Sequence, residues 1–283
     1  MDRVLVLGGS GFVGRELRDH FGGPATSRTM REGYVAVDAT DLADLRTKVA
    51  AARPEVLINC VGLADVDRAE REPALADSLN RGVVENLVRL QPEFGYRLVH
   101  ISTDYVFDGG KGDYRETDPA NPINEYGRSK LHGEEAALGA PGSLIVRISS
   151  PYGHGFGARK PQFFRYVTEA LRAGTPVKAL TDQRVTATFL PDLASGLDTL
   201  LRRSETGVVH LGSSEALTRF QFAQKVAEVV GADRALVTRG LRAEMAQWVA
   251  PRPNDTSLNV DRSLSCGVRY TPVETALKTL LSG

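Results

Sequence analysis

Tyr126 and Lys130 stand four residues apart in the run Asn121-Pro122-Ile123-Asn124-Glu125-Tyr126-Gly127-Arg128-Ser129-Lys130. Pro122 and Asn124 read as a turn and a cap before a helix, and on that helix the two side chains share one face. Reducing a ketone needs a hydride on carbon and a proton on oxygen. A phenol with an ordinary pKa of about 10 is a slow proton donor near neutrality. A lysine ammonium beside it favours the phenolate, by roughly one to three units at close range, and an acid tuned nearer the working pH is more effective. Upstream, the apolar run Leu98–Ser102 ends in Ser102-Thr103-Asp104-Tyr105. Ligands of an open α/β sheet sit beyond the carboxyl ends of its strands. That placement lets the Thr103 hydroxyl donate to a substrate carbonyl as charge develops there.

A Tyr-x-x-x-Lys pair alone most often marks a solvated helix face. It gains weight from a second motif, Gly8-Gly9-Ser10-Gly11-Phe12-Val13-Gly14, which directly follows the first apolar run and opens the first helical pattern. A tight turn needs positive φ, a pyrophosphate needs bare backbone, and the helix must pack close to the strand. The helix N-terminus then offers free amides and partial positive charge to phosphates. Between strand one and helix one of a βαβ unit, this pattern predicts a dinucleotide site, and Lys130 can then also hydrogen-bond the nicotinamide ribose. The next strand end reads Ala25-Thr26-Ser27-Arg28-Thr29-Met30-Arg31, without a carboxylate. An acid there would grip the ribose hydroxyls of NAD, whereas an arginine accommodates the extra phosphate of NADP. NADP(H) is therefore expected, with Arg28 and Ser27 on the phosphate. Asp38 and Ala39, just past Tyr34–Val37, are placed at the adenine edge.

These residues need a scaffold, and the apolar runs supply it. Val4–Leu7, Tyr34–Val37, Val56–Cys60, Leu98–Ser102 and Leu144–Ile148 are continuously apolar, as strands buried on both faces of a parallel sheet are. Helical stripes lie between them: Phe12/Val13, Leu17 and Phe21, then Leu75, Leu79 and Val83. Strand and helix in alternation predict a Rossmann-type, doubly wound α/β fold. Residues 1–150 read as the dinucleotide-binding domain. Residues 151–283 read mainly as a smaller α/β substrate-binding region, some of whose segments return to the main sheet. There, Gly153-His154-Gly155-Phe156-Gly157 precedes a helix beginning near Pro161, Val208–Leu211 is a further apolar run, and Thr218-Arg219-Phe220-Gln221 is a capping-box pattern opening a helix through Val226 and Val230.

Of the 283 residues, 42% are hydrophobic and 25% charged, and Lys+Arg and Asp+Glu both number 35. A zero net charge without basic clusters argues against a nucleic-acid binder and against docking on anionic membranes. The N-terminal apolar run is too short for a signal-peptide core or a membrane span, so a reducing cytoplasm is expected. The two cysteines, Cys60 and Cys266, make neither a disulfide framework nor a metal site; Cys60, inside an apolar run, reads as core. The histidines have no metal-ligand spacing.

These residues resemble the extended short-chain dehydrogenase/reductases and, among them, the dTDP-4-dehydrorhamnose reductases. The likeness covers most of the chain and rests on four blocks: GGSGFVGREL, RPEVLINCVGLADVDRAE, STDYVFDG with YRETDPANPINEYGRSKLHGE, and RPNDTSLN. It implies reduction of a 4-keto nucleotide sugar by NADPH, with Tyr126 as proton donor, Lys130 its partner and Thr103 orienting the carbonyl. It implies a cofactor channel of Gly8, Gly11, Phe12, Val13, Cys60, Val61, Gly62 and Ser102, with Asn59 at the strand end. On the substrate side it implies Asp104, Tyr105, Phe163 at the end of the loop from Gly153, and Arg252, an arginine suited to phosphate. Some relatives hold Mg²⁺ at a dimer interface through carboxylates matched by Glu16 and Glu274. Pro191 replaces another of those acids, so no metal is predicted. A homodimer is the base-rate expectation. Two other readings use the same scaffold: an NAD-dependent nucleotide-sugar epimerase or dehydratase, and a non-catalytic regulatory subunit similar to that of methionine adenosyltransferase.

Overall fold

The computed structural model describes residues 3–154 and 162–281. The loop residues Gly155, Phe156 and Gly157, and Pro161, lie outside the described residues. The first half runs β1 (Val4–Leu7), α1 (Phe12–Phe21), β2 (Thr26–Ser27), β3 (Val35–Ala36), α2 (Leu42–Ala52), β4 (Val56–Asn59), α3 (Val66–Arg71), α4 (Pro73–Asp77), α5 (Val83–Phe94), β5 (Arg97–Thr103), α6 (Glu125–Leu138) and β6 (Leu144–Ile148). The second half runs α7 (Phe163–Arg172), β7 (Val177–Leu180), β8 (Arg184–Val185), α8 (Leu190–Arg202), β9 (Gly207–His210), β10 (Leu217–Thr218), α9 (Arg219–Val230), β11 (Val237–Gly240), α10 (Asp261–Ser265) and α11 (Val273–Leu281).

The main sheet is parallel throughout, in the order β1-β4-β5-β6-β9. β9 comes from the second half of the chain and supplies the outer strand. On the other flank, β2 and β3 pair in parallel, and a bridge between Val6 and Ala25 joins them to β1. One sheet face packs on α1 and α8 around Leu17, Ile58, Val146 and Leu197. The other packs on α2, α5 and α6 around Leu45, Leu57, Leu87 and Leu98. Burial on both faces explains why these strands lack polar alternation. A separate apolar cluster joins α7, α9 and α11 to β7 and β11. The capping box forms as expected: Thr218 accepts from the Gln221 amide, and the Gln221 side chain accepts from the Thr218 amide.

Two expected elements differ. Only Val35 and Ala36 of the Tyr34–Val37 run are extended, and Val35 is 44% exposed. Its sole strand neighbour is the short β2, so the run sits at the sheet margin instead of inside it. The stripe Leu75, Leu79, Val83 is not one helix. A π-helical turn, Ser78–Gly82, separates α4 from α5. The wider π turn adds a residue to the repeat, so Leu75 and Leu79 pack beside Tyr126 while Val83 enters the core under the sheet.

Candidate active site

Thr103 ends β5, and its neighbour in β6 is Ile148. Asn124 caps α6 by accepting from the Gly127 amide and donates to the Pro251 carbonyl. Gly127 lets the helix sit hard against the strand end, because a Cβ there would lie 2.2 Å from the Tyr105 carbonyl oxygen. This close seat brings Tyr126, Lys130 and Thr103 to the wall of one cavity of about 280 Å³, which also takes in Val13, Cys60, Val61 and Gly62. Cys60 packs against the main core cluster, as its apolar run predicts, and its half-buried side also reaches the cavity wall.

Burial pushes the Tyr126 phenol up, and the neighbouring Thr103 hydroxyl pulls it part of the way back. The lysine-lowered phenol expected from spacing is corrected here. The Lys130 ammonium is drawn instead to the Ile101 carbonyl, 2.7 Å away. Burial lowers Lys130 itself to about 8, against the raising effect of Glu134.

A polar chain lies behind Lys130. β4 and β5 set Asn59 opposite His100. The Val61 amide donates to Asn59 Oδ1, which fixes the orientation of the Asn59 amide. Asn59 Nδ2 then faces His100 Nδ1 at 3.2 Å and donates to it. Burial, and then Lys130, hold His100 well below its ordinary pKa. The neutral ring must carry its proton on Nε2, 3.4 Å from Lys130 Nζ. His100 thus turns a donor toward the lysine and works with burial against the ammonium.

The glycine turn suits a dinucleotide. Gly8 has φ +76° and its amide donates to Thr26 Oγ1. A Cβ on Gly14 would lie 2.3 Å from the Gly8 carbonyl oxygen, so α1 approaches as closely as only glycine allows. Gly11 caps α1 without a side-chain bond, and Phe12 and Val13 begin the helix. The first-turn amides therefore have no side-chain cap, as a phosphate cradle requires. A Cβ on Gly62 would strike Asn80 Oδ1 at 2.6 Å. At the other end, Ser27 is buried in β2 and Arg28 is exposed just beyond it. Asp38 is exposed and accepts from the amide and hydroxyl of Thr40, while Ala39 is buried beneath it.

The remaining expected contacts separate into two groups. Tyr105 lines the cavity, edge-on to Tyr126 with ring centroids 5.8 Å apart. Asp104 also reaches the cavity wall, yet its carboxylate is occupied: it accepts from Thr256, Ser149 and Thr103 at 2.5, 2.7 and 3.2 Å. It joins the β5 end, the β6 end and the RPNDTSLN segment, so its expected role as a substrate contact becomes one of positioning. Arg252 is also redirected. Its Nη1 donates to Asp67 Oδ1 at 3.0 Å, and its guanidinium lies over the Trp248 ring. Burial pushes Asp67 up, but Arg252 and the Val249 and Ala250 amides outweigh it and hold the carboxyl low. Phe163 lines a small adjoining cavity and stacks under Arg219 at 4.9 Å.

Several site residues had no sequence signal strong enough to find them. Asn80 sits in the π turn, donates to Ser129 Oγ at 2.8 Å and accepts from the Leu63 amide. His100 and Asn59 meet only through strand register. Glu134 lies four residues after Lys130, a spacing that could have drawn attention to it. Arg219 looked like part of a cap. Among the described residues, no group of three or more acidic, histidine or cysteine side chains is arranged to hold a metal, and no helix is long and apolar enough to cross a membrane.

The RmlD substrate binding domain family model matches residues 1–283. The chain is 34% identical over 278 residues to the dTDP-4-dehydrorhamnose reductase of Mycolicibacterium smegmatis, covering 94% of this chain and 80% of that one. It is 32% identical over 281 residues to the dTDP-4-keto-6-deoxy-D-glucose reductase of Streptomyces niveus, covering 96% and 93%. Its structure superposes with a TM-score of 0.86 on the dTDP-4-dehydrorhamnose reductase of Bacillus anthracis in complex with NADP, at 26% identity and over 99% of both chains.

Proposed function

We propose, because this chain belongs to the RmlD substrate binding domain family, that it reduces the 4-keto group of a dTDP-linked 6-deoxy sugar with NADPH. The observation that carries this reading is the placing of the Thr103 hydroxyl and the Tyr126 phenol on one cavity wall with Lys130 beside them. On this reading residues 1–150 bind the dinucleotide and 151–283 mainly the nucleotide sugar, with α8 and β9 lent back to the sheet. Bound NADPH supplies the hydride for the carbonyl carbon.

The chain's own residues do the rest. The Thr103 hydroxyl, which donates to Asp104 in the free protein, turns its proton to the carbonyl oxygen and fixes its direction. Tyr126 gives that oxygen a proton. Lys130, anchored on the Ile101 carbonyl, offers positive charge to the phenolate left behind and a donor to the nicotinamide ribose. The uncapped first turn of α1 takes the pyrophosphate, and Arg28 takes the phosphate that distinguishes NADP. An intact Thr103, Tyr126 and Lys130 set and reductase relatives favour catalysis over a regulatory role.

The test is NADPH oxidation with dTDP-4-keto-6-deoxyglucose made in place by a dehydratase, with and without a 3,5-epimerase. The two reductases compared by sequence are named for different sugars, a dehydrorhamnose and a 4-keto-6-deoxy-D-glucose. Turnover that requires the epimerase assigns the L-sugar, and turnover without it assigns the D-sugar. No NADPH consumption in either mixture sinks the proposal. Arg28→Ala is expected to raise the KM for NADPH about ten- to a hundredfold, the size of a charged hydrogen bond, and to leave the KM for NADH unchanged. An unchanged NADPH/NADH preference would remove Arg28 from the site.

A further inference from the structure

Arg219 opens α9 and lines both the main cavity and the smaller one behind Phe163. Three neighbours hold its guanidinium. Nε donates to Gln183 Oε1 at 3.3 Å, Nη1 donates to the Ser150 hydroxyl, and the plane lies over Phe163. Ser150 keeps a left-handed backbone, φ +41°, which few non-glycine residues adopt without a tertiary reason. Gln183 also donates to the Tyr105 hydroxyl at 3.2 Å, so Arg219 is tied through Gln183 and Tyr105 to the catalytic wall at Tyr126.

What the guanidinium lacks is an ion-pair partner: no carboxylate of a described residue lies within 4.0 Å of it. The carboxylate that senses it, Asp104, already accepts three hydroxyl hydrogen bonds. Arg252, the arginine expected on phosphate, is by contrast spent on Asp67. A half-buried cation without a carboxylate, beside a cavity with catalytic groups, is a place for an anion brought by the ligand.

We propose that Arg219 is the oxyanion seat of the substrate cavity, gripping a charged oxygen of the nucleotide sugar while Ser150, Gln183 and Phe163 hold the guanidinium in place. The proposal rests on the 4-ketosugar reading for the substrate's identity, but the binding chemistry stands on Arg219 itself. Two sources can supply the oxygen: the diphosphate linking nucleoside to sugar, which is the anion a 6-deoxy sugar nucleotide brings, or, on a sugar that is not 6-deoxy, a carboxylate.

Calorimetry with thymidine 5′-diphosphate and with thymidine, on wild type, Arg219→Met and Arg219→Lys, separates them. NADPH affinity and melting temperature serve as checks on folding. If the diphosphate is the ligand, Arg219→Met weakens thymidine diphosphate about tenfold or more, as loss of a charge-assisted contact does. Thymidine and NADPH stay within about twofold, Arg219→Lys falls between, and the KM for the 4-keto sugar rises more than kcat falls. If a sugar carboxylate is the ligand, thymidine diphosphate binding is unchanged and Arg219→Met instead loses binding of a dTDP-hexuronate, an outcome that keeps the seat and removes the 6-deoxy substrate. Unchanged binding of both ligands in a folded Arg219→Met protein overturns the proposal and leaves the reductase reading intact. Arg219-dependent diphosphate binding by a wild type that reduces no 4-keto sugar keeps the seat and removes the reductase reading.

Discussion

Tyr126→Phe is expected to lower kcat about 10²- to 10⁴-fold, the usual worth of a positioned general acid, with NADPH binding retained. The phenyl ring keeps its place against Tyr105, because the change removes only the oxygen. Burial raises this phenol in the free protein, and a raised acid is a reluctant donor; on the proposed mechanism the Lys130 ammonium stabilises the phenolate as it forms. Lys130 titrates at about 8, so its ammonium is present below that pH and lost above it. The reductive rate should fall as pH rises through about 8, and Lys130→Met should lose most activity together with that inflection.

The same lysine makes a second, opposite prediction for stability. Its value falls from an ordinary 10.5 to about 8 on folding. At 1.4 kcal/mol per unit this is a cost of about 3 kcal/mol, offset in part by the bond to Ile101, worth about 1 kcal/mol. A depressed lysine penalises the fold fully below its folded value, and the penalty is relieved as pH climbs toward the unfolded value. Lys130→Met should therefore melt a few degrees higher than wild type at pH 7, with the advantage fading by about pH 10.5. A slow variant that melts lower at pH 7 would mean that the Ile101 bond outweighs desolvation. A Tyr126→Phe enzyme within tenfold of wild type would remove the phenol from the chemistry.

Glu134→Ala is expected to cost about 3–5 kcal/mol, the price of leaving one buried charge of a pair without its partner, and to lower the melting temperature by about 10 °C. Arg147 is 6% exposed and Glu134 2%. Arg147 Nε and Nη2 donate to the two carboxylate oxygens at 2.9 and 2.7 Å, and Ser102 donates to Glu134 at 2.5 Å. The guanidinium also lies over Phe107 at 5.0 Å, so it cannot swing to water when the carboxylate goes. The pair joins α6 to β5 and β6 directly below the site, and Lys130 loses the buried acid that most supports its charge. Glu134→Leu with Arg147→Met should recover most of the stability, since an apolar pair of similar volume has no charge to desolvate. A single variant that melts with wild type would show that water reaches the arginine.

The chain order of residues determined a good deal. Runs without polar alternation gave β1, β4, β5 and β6 their place inside a two-sided parallel sheet. Glycine spacing after β1 announced a close helix and a phosphate cradle, since both depend on local backbone freedom. Tyr126 and Lys130 share a face because four residues are about one helical turn. Tertiary structure decided everything that depends on register, depth and competition between partners. Asn59 meets His100 because β4 and β5 pair in one register and no other, and that contact turns a donor toward Lys130. The π turn splits a stripe that looks continuous by period, and so delivers Asn80 to Ser129. Arg252 and Arg219 are alike as letters in the sequence. Folding places Asp67 against the first and no carboxylate of a described residue against the second, because a guanidinium binds whichever anion the packing brings within reach, and only the packing settles which that is.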